Sequence, residues 1–292
     1  MSATMTARPI ELIPPQQQAL WGWPAVLNFF LGGLGAGFYA TAALAGGLAP
    51  SPAMRVASWL GPALVLAGFA AVATEAGRPL RGPRVLLRVR TSWMSRELWI
   101  GGAFVLFAIA DLLFPLRLHK AQAAVAAVLL AVAQGFIVRH ARGIAAWDVP
   151  MVPPLFAASA LVSGAGLYLV VEAGAGRVPP PPLLGAVLVL LAVNLGAWVR
   201  YLTWSREAAF AAAVRPLGQG RDLGIAVGGG HVAPFLLVAL AAGRPALAAP
   251  ALVLAGALMT GGQLHAKARV ILSAGRLRPI TLAGVRIHGR PS

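Results

Sequence analysis

Asn28, Glu75, Glu97 and His140 are the residues whose types and places in this chain point to chemistry. Each stands at one end of a strongly apolar stretch. Asn28 lies one turn inside the first, Glu75 closes the second, Glu97 opens the third and His140 closes the fourth. Only eight carboxylates occur in 292 residues. Polar and ionisable groups near membrane depth are costly, so each is by default a functional candidate. Helices 1 and 3 begin on the face where helices 2 and 4 end, which brings these groups to one depth. An amide, a carboxylate and an imidazole around an apolar pocket, with Arg78 and Arg96 beside them, suit a quinone. Donors hold its carbonyl oxygens, and a carboxyl or imidazole carries the two protons of its reduction. Glu75 is the leading proton carrier, Asn28 and His140 are hydrogen-bond partners, and Arg78 and Arg96 orient the head group or Glu75. The plainer alternative for Arg96 and Glu97 is a helix-start carboxylate beside an interfacial anchor.

The elements that position these residues are membrane helices. Mean hydropathy is +0.78, 59% of residues are hydrophobic and 11% are charged, against roughly a quarter charged in soluble domains. About 20 apolar residues in a helix cross a bilayer. Eight stretches qualify, at residues 24–48, 57–74, 98–114, 121–138, 153–171, 182–199, 224–242 and 246–264. Runs this long exceed barrel strands, and backbone groups in lipid must pair within their own segment. The expected fold is an all-α integral membrane protein of eight transmembrane helices. Two four-helix bundles are expected within one membrane domain, at about 24–140 and 151–265, with a tail over 266–292. The polar start lacks the basic region, apolar core and cleavage site of a signal peptide.

Charge sets the expected orientation. Six arginines (Arg78, Arg81, Arg84, Arg88, Arg90, Arg96) crowd the segment between the second and third stretches. With eight spans, 19 of the 24 Lys and Arg residues fall on the side of the termini and five on the other. Basic residues of short loops stay cytoplasmic, so both termini are expected there, and no basic residue is expected inside a span. The net charge of +16 is then an interfacial lipid anchor, not a nucleic-acid surface, which needs a folded soluble face with its readers. Without cysteine, the chain itself has no thiolate to hold an iron–sulfur cluster or zinc.

Other polar groups carry plainer readings. Asp111 and Glu172 lie toward the far side, as interfacial groups or members of a proton path. His231 and His265 lie toward the cytoplasmic side and would be needed together as axial ligands of a haem. The tryptophans fall near span ends, as an aromatic belt requires. G-A-G-F-Y at 35–39 is echoed by G-A-G-L-Y at 164–168, as a parallel duplication of four helices would leave, and Gly33/Gly37 has the spacing of close helix packing.

The ordered combination of P-A-V-L-N-F-F-L-G-G-L-G-A-G in the first span, G-R-P-L-R at 77–81 and S-W-M-S-R-E at 92–97 resembles the NrfD/polysulphide-reductase membrane-subunit family. The resemblance implies an anchor that binds a quinone (ubiquinone or menaquinone). It exchanges electrons with a four-cluster ferredoxin-like iron–sulfur subunit wired to a molybdenum catalytic subunit. It implies no haem, and it places Glu75 where some anchors carry a histidine. Combined with the charge count, it implies the bacterial cytoplasmic membrane and cytoplasmic partners. The rival classes are a secondary transporter, which places paired ionisable groups at the midplane, and a cytochrome b-type subunit.

Overall fold

A computed structural model describes residues 10–47, 49, 51–75 and 83–282; Arg78 lies outside the described residues. Among the described residues eight long helices follow one another: α1 (Trp23–Ala45), α2 (Pro52–Ala73), α3 (Trp93–Leu113), α4 (Arg117–Arg139), α5 (Val152–Gly174), α6 (Pro181–Leu202), α7 (Gly220–Gly243) and α8 (Ala248–Leu272). Proline opens the first turn of α1, α2, α5 and α6, where its missing N–H costs nothing. Ser51 Oγ accepts from Met54 N–H at 3.0 Å to cap α2. Within α7 the stretch Gly224–Val232 winds as a π-helix.

All of these helices except α3 are long and apolar enough to cross a membrane. The chain is an integral membrane protein. In α3 the 21 residues include Arg96, Glu97 and Asp111. Two of those three, Glu97 and Asp111, are buried against neighbouring helices.

The helices run further into polar sequence than the apolar stretches did. Arg55 falls inside α2, Lys120 inside α4, and His265, Lys267 and Arg269 inside α8. These basic residues lie where the helices extend past the apolar stretches, which themselves hold no Lys or Arg. Backbone hydrogen bonding continues whatever the side chain, and a buried amine is tolerated where it finds acceptors. Lys120 and Lys267 are 7% and 3% exposed.

Helices α1 and α5 form the centre. The first packs on α2, α4, α5 and α8, and the second on α1, α4, α6 and α8. The two echoed motifs meet at this crossing. A methyl group on Gly37 would overlap the carbonyl of Ala160, and one on Gly164 would overlap the backbone of Gly37, so both positions need glycine. On the face where α1 begins and α8 ends, β1 (Ile10–Ile13) pairs antiparallel with β2 (Ile280–Leu282). Trp147, from the α4–α5 connection, stacks on Trp21 at 4.9 Å and donates Nε1–H to Val270 O at 2.9 Å.

Candidate functional site

On this same face, a buried carboxyl group lies between three helices. Glu97, one turn into α3, is 4% exposed. Its Oε1 accepts from Asn28 Nδ2 of α1 and from Gln134 Nε2 of α4, both at 3.1 Å. Gln134 also donates to Asn28 O at 3.2 Å. Asn28 Oδ1 is buried with no hydrogen-bond partner among the described residues, so the cluster retains one free acceptor. Asn28 and Glu97 were both legible in the sequence. Gln134 was not singled out, although an amide inside an apolar stretch was the available signal.

Glu75 lies at the rim of this cluster. Its Oε1 accepts from Gly22 N–H at 2.8 Å, at the start of α1, where a carboxylate also meets the positive end of the helix dipole. Gly22 precedes Asn28 by six residues, about 9 Å along a helix, so Glu75 meets α1 nearer its end than Glu97 does.

Arg96 and His140 come together elsewhere. Trp93 Nε1 donates to His140 Nε2 at 3.3 Å, and its ring stacks on Phe136 at 4.3 Å. The Arg96 guanidinium lies 4.4 Å over Trp93 and donates to Val89 O and Arg90 O at 2.9 and 2.8 Å. Arg96 thus secures the segment before α3, and His140 is exposed at the end of α4. Neither is bonded to Glu97.

An apolar groove runs along α3 and α4 on their outer side. It is lined by Ile100, Phe107, Val125 and Leu129 among others and has a volume of about 490 Å³. That is within the range of small-molecule sites. Ile100 is three residues past Glu97, and Leu129 is five before Gln134, so the groove comes within about two turns of the polar cluster.

A second cluster links α6, α7 and α8. His231, in the π-helical stretch, contacts Asn194 Oδ1 through Nε2 at 2.6 Å and Ala226 O through Nδ1 at 2.7 Å. Gln263 Nε2 donates to the same Asn194 oxygen at 3.1 Å. One turn beyond Gln263, Lys267 crosses to α1 and donates to Phe29 O at 2.8 Å. His265 contacts Asp222 Oδ1 at 3.1 Å, so the two histidines weighed as a haem pair are each engaged with different partners. Among the described residues no group of three His, Cys, Asp or Glu is placed to hold a metal ion.

On the opposite face Asp111 is buried, two residues from the end of α3. It accepts from Tyr39 OH at 2.9 Å and Ser58 Oγ at 3.1 Å, and lies 3.9 Å from Lys120 Nζ. Glu172 accepts from Ala53 N–H at 2.8 Å at the start of α2 and pairs with Arg177 at 3.5 Å.

The model of the family described as "Polysulphide reductase, NrfD" matches residues 12–183. That stretch holds Asn28, Glu75, Glu97 and Gln134 and ends before Asn194, His231, Gln263 and Lys267. No curated protein matches the sequence.

Proposed function

The chain belongs to the polysulphide reductase NrfD family, and from that premise we propose that it is the quinone-reactive membrane subunit of an oxidoreductase complex. In this reading all eight long helices span the bacterial cytoplasmic membrane, in two four-helix halves, with both termini cytoplasmic. The face bearing Glu75 and Glu97 docks a ferredoxin-like iron–sulfur subunit, which connects to a molybdenum catalytic subunit. The chain has no cysteine, so electrons reach the quinone from that partner and the protein supplies binding and protons.

The observation that carries this reading is Glu97, a buried carboxyl group held by Asn28 and Gln134 close to the apolar groove along α3 and α4. Such a groove takes a hydrophobic tail, and the free Asn28 Oδ1 accepts from a quinol hydroxyl. Glu97 holds or releases the proton at the head group, and Glu75 relays it between Glu97 and the surface. Helix-end solvation accounts for Glu75, but not for a carboxyl group buried among amides.

The test is Glu97→Gln in the assembled complex. Gln keeps the shape and removes the proton carrier, so assembly persists and quinone-linked turnover falls. Turnover with an artificial acceptor at the partner subunit is unaffected. Unchanged quinone kinetics would refute the assignment. A transporter would instead place its paired ionisable groups at the midplane, whereas Glu75 and Glu97 lie near one end of their helices.

A further inference from the structure

Between α5, α6 and α8 lies a small cavity lined by Phe156, Ser159, Trp198, Gln263 and Lys267. Its polar lining is incompletely bonded. Ser159 Oγ and Trp198 Nε1 are buried, and neither finds a partner among the described residues; the two residues are 4% and 3% exposed. Lys267 has three N–H groups. One goes to Phe29 O, the ammonium lies 5.6 Å from the Phe156 ring, and no carboxylate forms an ion pair with it among the described residues. Buried donors left this way cost free energy unless something accepts from them.

We propose that this cavity binds an internal water molecule that joins Lys267 to Gln263, so that the polar cluster of α6, α7 and α8 is tied by hydrogen bonds to α1 beside Asn28. The hydrogen-bond inventory balances for water. Trp198 N–H and Lys267 N–H can only donate, and a water accepts two bonds. Ser159 Oγ and the Gln263 amide oxygen can accept, and a water donates two. The space has room for about one water. Register agrees as well. Asn194 bonds Gln263, and one turn further along both helices Trp198 and Lys267 face the same cavity.

Lys267 reaches α1 at Phe29, one residue past Asn28. A methyl group on Gly33 would lie 2.5 Å from Lys267 Nζ and 3.4 Å from Gln134 Oε1, so the amine and the amide flank the same glycine. From Gln134 the bonds run to Glu97, and from Gln263 through Asn194 to His231. The water site does not depend on the quinone reading above.

The experiment is a double-mutant cycle on the full chain in nanodiscs, with Ser159→Ala, Lys267→Met and both together. If the water is bound, Ser159→Ala lowers the thermal midpoint and the two losses are non-additive, because both act on one bridging molecule. In a dry cavity Ser159→Ala removes an unpaired hydroxyl, so the midpoint stays or rises and the effects add, which overturns the proposal. A cryo-EM map of the same sample that resolves waters should show one between Lys267 and Trp198, and ordered side chains around an empty position would overturn it too. The midpoint cycle involves no quinone, so its outcome separates from the fate of the Glu97 assignment.

Discussion

Lys267 Nζ donates to the carbonyl oxygen of Phe29 over 2.8 Å, which ties the last helix to the first one residue past Asn28. The ammonium reaches that carbonyl because Gly33 has no side chain in its way. Gly33→Ala should therefore displace Lys267 and lower stability by about 1–3 kcal/mol, the ordinary cost of overpacking. Thermal unfolding of the purified chain checks this, and an unchanged midpoint would show that the amine has room to move.

Glu75→Gln tests the rim of the site. The amide oxygen can still accept from Gly22 N–H, so the complex should assemble. Loss of the charge at the start of α1 should cost only about 0.3–1 kcal/mol. Quinone-linked turnover should fall while turnover with an artificial acceptor at the partner subunit is spared. Intact quinone kinetics would leave Glu75 as a cap on α1.

Tyr39→Phe on the opposite face is the control. It removes one donor to Asp111 and leaves Ser58 and Lys120 beside it, so stability should drop by about 1 kcal/mol. Quinone-linked turnover should not change, since Asp111 and Glu97 lie toward opposite ends of α3. A large loss of turnover would extend the functional network across the membrane.

Gly164→Leu should prevent folding of the bundle centre, because even a methyl group there overlaps the backbone of Gly37. Yield of membrane-inserted, protease-resistant protein is the measurement. Gly185→Ala, at a position with open space around it, should be recovered at the parent level.

Reporter fusions after Arg84 and after Arg177 should report opposite sides of the membrane, the first cytoplasmic. Same-side signals would overturn the eight-span topology and the cytoplasmic docking face together.

The sequence by itself determined the helical membrane class, because long apolar runs leave the backbone no alternative in lipid. It also located the helices to within a few residues and singled out Asn28 and Glu97 as polar groups near their ends. The boundaries it missed are those where a helix continues through charged residues, as in α4 and α8, because hydropathy registers side chains and not backbone bonding. Only the tertiary structure decided which polar groups meet. Asn28 and Glu97 are 69 positions apart and Lys267 and Phe29 are 238 apart, and no periodicity within one helix fixes its rotation against another. That rotation puts Glu97 inward and the neighbouring Arg96 on Trp93. It also turns Lys267, which the charge count assigned to a solvated tail, into the bond between the two ends of the chain.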